Sequence, residues 1–137
     1  MHWPADMRDA LRGIDTDREQ DIYMRAIQTF HMGPERGWAD FAYNFAVFQD
    51  GRVYRGRGLD WQPAAQENHN MNTIAVLCVV GDTEKPTRLL VNGLIELKDH
   101  IDRKCGRDVI VRPHSAATST QCPGPHVSTI VSQINRH

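Results

Sequence analysis

The residues of this chain best suited to chemistry are its seven histidines and three cysteines. His114 and Cys122 lie in a loop-like segment that follows a short apolar run, and loops after strands commonly carry functional sites. Imidazole and thiolate both bind zinc, and a catalytic zinc usually takes three protein ligands and leaves a fourth position for water. The segment therefore indicates a metal site that lacks one ligand. Six other histidines could supply it: His2, His31, His69, His100, His126 and His137.

The spacing of His114 and Cys122 also has a simpler interpretation. A histidine can lie at the surface, and a free cysteine is often a small buried residue with no chemical role. Sequence spacing alone does not choose between this interpretation and metal binding.

Composition limits what the protein can be. The 137 residues carry 16 Lys and Arg against 17 Asp and Glu, which predicts one domain over 1–137 and argues against nucleic-acid binding through a broad basic surface. The apolar run 74–80 is far shorter than the roughly 18 residues that span a bilayer, and we expect neither a membrane span nor a signal peptide. Three cysteines are too few for a disulfide scaffold, so at least one thiol is free.

The first half of the chain predicts a helix and then a hairpin. After the polar segment 6–15, Thr16 and Glu19 form a capping box that starts a helix over 17–31, and Gly33-Pro34 ends it. Strands over 41–48 and 53–54 flank the turn residues Asp50-Gly51. The predicted apolar stripe of the helix consists of Tyr23, Ala26, Ile27 and Phe30.

The second half alternates strands with helices. The run 73–80, bounded by Gly81-Asp82, predicts a strand that is buried on both faces and central in its sheet. A helix over 86–104 with Pro86 in its first turn, a short strand over 109–111 and a last helix from Pro125 follow. The second helix carries the stripe Leu90, Leu94, Leu97 and Ile101. This order predicts an α/β domain with a mixed central β-sheet flanked by helices.

Three motifs in this order resemble a known family. The segment 30–45 reads FHMGPERGWADFAYNF, 50–57 reads DGRVYRGR and 120–124 reads TQCPG. Together they resemble the zinc-dependent N-acetylmuramoyl-L-alanine amidases, which share their fold with the peptidoglycan recognition proteins and the bacteriophage T7 lysozyme type. The resemblance covers nearly the whole chain and is greatest to the catalytic domains of phage endolysins.

The resemblance implies a Zn²⁺ site and two catalytic hydroxyls. His2, His114 and Cys122 would hold the zinc, which would lower the pKa of bound water to about 7 for attack on the amide between N-acetylmuramic acid and L-alanine. Tyr43 and Thr120 would stabilise the developing oxyanion. The alternatives are a terminal residue without a role for His2, a core aromatic for Tyr43 and a turn hydroxyl for Thr120.

The resemblance also implies a groove for the muramyl group and the stem peptide. Each member of this set could equally be a residue that supports the fold, and whether His69 replaces a histidine found in relatives stays open. The implied substrate-binding residues are His31, Arg36, Trp38, Asn44, Arg57, His69 and Asn70. We expect Cys78 and Cys105 to be structural thiols.

The function implied is cell-wall lysis by a monomeric hydrolase of bacterial peptidoglycan. Such a lysin is made in the host cytoplasm and released through a holin. The alternative is a peptidoglycan-binding module of the same fold that does not cleave. Because only Met1 precedes His2, we expect either a domain cut closely from a modular endolysin or a sheet that lacks the first strand of its relatives.

Overall fold

The computed structural model describes residues 1–4, 14–81 and 83–137. Most of the polar segment 6–15, and Asp82 of the predicted turn, lie outside the described residues. The sheet has the order β2-β1-β3, with β1 antiparallel to β2 and parallel to β3. This mixed sheet flanked by helices confirms the predicted fold class. The elements are α1 (Asp17–Met32), β1 (Phe45–Val47), β2 (Val53–Arg55), β3 (Val76–Cys78), α2 (Arg88–Cys105), a 3-10 turn (His114–Ala116) and α3 (Gly124–Ile134).

The first helix begins at the predicted capping box but buries a different stripe. The Thr16 hydroxyl accepts from the Glu19 N–H, and the Glu19 carboxylate accepts from the Thr16 N–H at 3.0 Å. The buried residues of α1 are Gln20, Tyr23 and His31, whereas Phe30 is 43% exposed. Ala26 is exposed as well, so the predicted stripe is wrong at two positions. Gln20 and His31 belong to the buried face because each makes a hydrogen bond there.

The sheet lies between α1 on one face and α2 with α3 on the other. Successive side chains of a strand point to opposite faces, and β3 follows this rule. Val76 and Cys78 pack in one apolar cluster with Leu94 of α2, while Leu77 packs in a second cluster with Tyr23 of α1. The α2 stripe Leu90, Leu94, Leu97 and Ile101 is buried as predicted. In the described ranges, none of the helices has the length and apolar character needed to cross a bilayer.

The hairpin between β1 and β2 turns at the predicted glycine. Gly51 has φ +85°, and a Cβ at this position would lie 2.7 Å from the Leu89 carbonyl oxygen. Only glycine tolerates both conditions. The turn therefore joins the hairpin to α2 and confirms the predicted role of Asp50-Gly51.

Three predictions about the second half are wrong. Among the described residues, the middle strand of the sheet is β1, and the outer side of β3 carries a single parallel bridge, between Leu77 and His2. The segment 109–111 pairs with no strand among the described residues, and the Asn135 side chain instead accepts from the Val111 N–H and donates to the Val111 C=O. Helix α2 begins after Pro86, since Thr87 is its N-cap.

Candidate metal centre

Two imidazoles and one thiol from distant parts of the chain converge beside β3. The candidate ligand atoms of His2, His114 and Cys122 all lie within 4.8 Å of one another. The backbone of His2 is held by β3, since its N–H donates to the Val76 C=O at 2.8 Å and its C=O accepts from the Cys78 N–H at 2.9 Å. We refer to His2, His114 and Cys122 as the ligand cluster.

Backbone hydrogen bonds hold His114 against Met1 and hold Cys122 against the 3-10 turn. The His114 N–H donates to the Met1 C=O at 3.1 Å, and the Ser115 N–H donates to the Cys122 C=O at 2.9 Å. The Cys122 N–H donates in turn to the Thr120 hydroxyl at 3.2 Å. The loop 115–122 therefore closes back onto the 3-10 turn and places the thiol beside both imidazoles.

The cluster has the donor set and the spacing of a zinc site. In a tetrahedral site, bond lengths of about 2.3 Å for Zn–S and about 2.1 Å for Zn–N place sulfur and nitrogen about 3.6 Å apart. The Cys122 Sγ and the His2 Nδ1 are 3.7 Å apart. The Nδ1 of His114 is buried, and no described residue forms a hydrogen bond with it, so a metal bond would supply its partner. The residues present therefore fit zinc.

Burial keeps both imidazoles in the form that binds a metal. Burial is the largest of three causes that lower the pKa of His2 to about 2; the other two are the N-terminal ammonium and His114. Burial, the ammonium and His69 also lower the pKa of His114. Burial raises the pKa of the Cys122 thiol. A hydrogen bond from the Trp3 backbone and the charge of the N-terminal ammonium lower it by less. A cation bound here would replace the proton of the Cys122 thiol, and the two imidazoles would bind it in their neutral form.

The two predicted catalytic hydroxyls differ in their surroundings. The Tyr43 ring is half-buried, and its centroid lies 5.2 Å from that of His2. Thr120 is exposed, and its hydroxyl is oriented by the Cys122 N–H. The Tyr43 ring thus lies beside His2, whereas Thr120 lies in the exposed loop next to Cys122.

Behind Tyr43 lies a group of aromatic rings around His31. The His31 ring is 5.0 Å from Trp38 and 6.0 Å from Tyr43, and its Nδ1 accepts from the Ala42 N–H. The Arg36 guanidinium lies over the Trp38 ring at 5.4 Å. Burial, together with the charges of Arg36 and Arg57, lowers the pKa of His31 to about 4. This neutral histidine therefore connects the predicted groove residues to Tyr43.

Two predicted groove residues use their polar groups inside the fold. The Asn44 side chain accepts from the Ala75 N–H and donates to the carbonyls of Gly58 and Trp61. The Arg57 guanidinium donates to the Phe41 carbonyl at 2.6 Å and to the Gln62 carbonyl at 2.8 Å. Both residues shape the loop beside Tyr43.

The remaining predicted residues lie apart from the ligand cluster or at its edge. His69 is exposed and is close enough to affect the pKa of His114, while the Asn70 side chain accepts from the Gln66 N–H within a turn. Cys78 is fully buried, as predicted for a structural thiol, and burial raises its pKa to about 12. Cys105 is exposed and lies at the end of α2, the helix end at which it was expected.

The sequence gives little sign of the residues that support the ligand cluster. Trp3 is 8% exposed, and its ring packs against Gly124 at the start of α3. Its place directly after His2 is the only signal that could have identified it. Trp3 and Gly124 therefore position the first ligand against the loop that carries the third.

Sequence comparison relates the chain to enzymes and to binding proteins. No protein-family model matches it. It is 32% identical over 105 residues to an N-acetylmuramoyl-L-alanine amidase of Sus scrofa, over 74% of this chain and 17% of the amidase. It is 28% identical over 117 residues to peptidoglycan-recognition protein SC1a of Drosophila melanogaster, over 82% of this chain and 62% of that protein. The chain is homologous to N-acetylmuramoyl-L-alanine amidases and peptidoglycan recognition proteins.

Solved structures of these amidase and recognition-protein homologues have the same fold. Peptidoglycan recognition protein LE, solved in complex with tracheal cytotoxin, has a TM-score of 0.76 and 26% identity, over 86% of this chain and 71% of that one. The amidase LysC of Clostridium intestinale has a TM-score of 0.67 and 23% identity, over 98% of this chain and 81% of that one. The predicted recognition-protein and amidase fold is confirmed. The chain spans less than two thirds of the sequence relatives described above.

Proposed function

We propose that this chain is a zinc-dependent N-acetylmuramoyl-L-alanine amidase domain that cleaves bacterial peptidoglycan between N-acetylmuramic acid and L-alanine. The observation that carries the proposal is the convergence of His2, His114 and Cys122 within 4.8 Å. Two imidazoles and a thiolate are a catalytic zinc set, because they leave one coordination position open. The homology to named amidases supplies the substrate.

The chain's own residues supply orientation and hydrogen bonding to the reaction. Zinc, when bound, acts as a Lewis acid on a carbonyl and makes water acidic enough to serve as a nucleophile near neutral pH. Tyr43, fixed beside His2, donates its hydroxyl toward the oxygen that gains negative charge, and Thr120 does so from the loop. His31 packs against Tyr43 and limits the positions that its ring can take.

The groove beside the ligand cluster would hold the muramyl group and the stem peptide. Arg36, stacked on Trp38, presents a cation to stem carboxylates. His69 lies near His114. We propose further that the domain comprises 1–137, acts as a monomer on the cell wall, and derives from a phage endolysin that reaches the wall through a holin.

The alternative is a module that binds peptidoglycan without cleaving it. It is favoured by the recognition proteins among the relatives and by the tracheal cytotoxin complex of protein LE. Both functions use the same groove. Only cleavage requires the ligand cluster, which makes the two separable by mutation.

The test compares two cysteine substitutions on purified cell walls. Cys122→Ser should abolish the release of stem peptides while the protein still sediments with walls, because the substitution removes one metal ligand and leaves the groove intact. Cys105→Ser is the matched control, since this thiol is exposed at the end of α2, and it should cleave like the unmodified chain. Mass analysis of the released peptides identifies the bond that is cut.

Metal content provides an independent readout. The unmodified protein should bind one zinc, and His2→Ala should bind far less. Equal zinc in the two proteins would contradict the ligand assignment. Undiminished cleavage by Cys122→Ser would contradict the mechanism, and binding without cleavage by the unmodified zinc-loaded protein would establish the alternative.

A further inference from the structure

The loop 56–64, which follows β2, is bonded at both of its ends to the segment that carries Tyr43. The Arg57 N–H donates to the Tyr43 C=O at 3.0 Å, and the Ala64 N–H donates to the Ala42 C=O at 2.8 Å. Because the Tyr43 ring lies beside His2, this loop borders the proposed catalytic site. We call residues 56–64 the flanking loop.

Two polar side chains hold the flanking loop from within. The Asn44 amide, which is 2% exposed, donates to the carbonyls of Gly58 at 2.6 Å and Trp61 at 2.9 Å. The Arg57 guanidinium donates to the Gln62 carbonyl at 2.8 Å. These bonds fix the backbone of the loop, so the places from which its side chains project are set before any ligand binds.

Trp61 is the large apolar residue that this fixed backbone presents to solvent. The residues two positions before and after it are turned inward, since Leu59 packs against the apolar cluster of α2 and Pro63 is buried. Trp61 itself is 73% exposed. A single exposed apolar side chain is common at protein surfaces and by itself assigns no function. The distinguishing feature here is that buried hydrogen bonds hold the exposed indole in the loop beside Tyr43.

The surface around Trp61 is suited to an uncharged polar ring. Within 58–64 the single charged residue is Asp60, and it pairs with the exposed Arg55 at 2.9 Å. Gln62 is exposed next to the indole and has a neutral amide that both donates and accepts hydrogen bonds. The face of an indole carries partial negative charge, which attracts the C–H groups on one side of a pyranose ring. This combination fits an N-acetylated sugar better than a charged peptide group.

We propose that Trp61 binds the glycan strand at an N-acetylglucosamine ring next to the muramyl residue whose stem peptide is cleaved. This inference rests on the proposed function, which supplies peptidoglycan as the ligand. The cleaved amide is attached to the muramyl residue, so the adjoining sugars of the strand pass the border of the catalytic site. Arg36 and Trp38 serve the stem peptide, which leaves the flanking loop for the sugars. The domain thus prefers a muramyl peptide within a glycan strand to an isolated one.

Two defined ligands separate the sugar contact from the peptide contact. The short ligand is N-acetylmuramyl-L-alanyl-D-isoglutamine, and the long ligand is the same muramyl dipeptide with N-acetylglucosamine linked on both sides. The Cys122→Ser protein, which should bind without cleaving, is titrated with each by calorimetry. The long ligand should bind roughly tenfold more tightly, given the free energy of an aromatic contact. Equal binding of the two ligands, or binding of neither, would overturn the proposal.

Variants in the same Cys122→Ser protein assign the preference to the indole. Trp61→Ala should weaken binding of the long ligand alone, because the short ligand does not reach Trp61, and Trp61→Tyr should keep part of the preference. Leu89→Ala is the matched control, since Leu89 is an apolar residue of α2 that is 58% exposed, and it should change neither affinity. Equal loss for both ligands in Trp61→Ala would indicate a purely structural role. That result, or an unchanged preference, would contradict the proposal.

Tryptophan fluorescence locates the contact. Trp3 is 8% exposed and Trp38 is half-buried, so Trp61 is the most exposed of the three tryptophans. The long ligand should shield the emission from acrylamide quenching more than the short ligand does, and Trp61→Ala should lose this difference. A difference that persists in Trp61→Ala would assign the contact to another tryptophan and reject the proposal.

Cleavage tests the proposed amidase separately. In the protein with Cys122 intact, Trp61→Ala should lower kcat/KM for the long ligand about tenfold and leave kcat/KM for the short ligand and the zinc content unchanged. If the zinc-loaded protein with Trp61 intact cleaves neither ligand, the amidase proposal fails. The difference in binding between the two ligands still decides the role of Trp61 in that case.

Discussion

At the scale of the residue, Asn44 shows how a polar side chain supports the site from within. It is 2% exposed, and its amide satisfies an N–H of residue 75 and carbonyls of residues 58 and 61. It therefore ties the chain next to Tyr43 to β3 and to the loop after β2. The family resemblance implies a substrate contact at this residue, but both N–H donors of its side-chain amide are used within the fold.

Asn44→Ala should lower the free energy of unfolding by roughly 3 kcal/mol, because it leaves buried backbone groups without partners. Urea denaturation measures the change. Asn70→Ala is the control, since Asn70 accepts a single bond in a partly exposed turn, and it should cost about 1 kcal/mol or less. Equal losses in the two variants would show that Asn44 has no special structural role.

At the scale of the element, the start of α3 is fitted to Trp3. Gly124 has φ +81°, and a Cβ on it would lie 2.8 Å from the Trp3 ring. Trp3 follows His2, and Gly124 follows Cys122 by two residues, so this one contact aligns the first and third ligands.

Gly124→Ala should therefore weaken zinc binding as well as stability. Gly106→Ala is the matched control, because Gly106 also has positive φ at +64° but no atom of the described residues lies within 4 Å of its Cβ position. We expect each variant to lose about 1–2 kcal/mol from backbone strain, and only Gly124→Ala to reduce zinc affinity. Competition with a chelator measures the affinity, and identical affinities would contradict the positioning role of the contact.

At the scale of the whole molecule, the fold keeps several histidines neutral. Burial lowers the pKa of His31 to about 4 and that of His2 to about 2, from an ordinary value of 6.5. Below pH 6.5, the unfolded chain therefore binds more protons than the folded one. Stability from these groups is fully present above pH 6.5 and is lost as the pH falls through the folded pKa.

The metal-free protein should accordingly lose stability as the pH falls from about 6.5 toward 4. His31→Gln keeps an acceptor for the Ala42 N–H and removes one titrating group, so its unfolding free energy should depend less steeply on pH in this window. The unfolding free energies of the two proteins should run parallel from pH 7 to 8.5, where neither state takes up the proton. A variant with the same slope below pH 6.5 would contradict the assignment to His31.

Local structure was predictable where neighbouring residues determine it. The Thr16–Glu19 capping box, the Asp50-Gly51 turn and the α2 stripe were predicted and are present, because each depends on residues within a few positions. Hydrophobicity predicts a buried stripe on α1 that includes Ala26 and Phe30, but both residues are exposed. The hydrogen bonds of Gln20 and His31 to other parts of the chain determine that face instead.

By itself, the sequence determined the types of ligand, the helices, the hairpin and, through three motifs, the family to which the chain is similar. The resemblance named His2, His114 and Cys122 together, but only the tertiary structure shows that His2 meets Cys122 across 120 positions and that β1 rather than β3 is the middle strand among the described residues. Capping and turns depend on bonds between near neighbours. The ligand cluster and the strand order depend on which distant segments pack against β3, and spacing along the chain does not encode that choice.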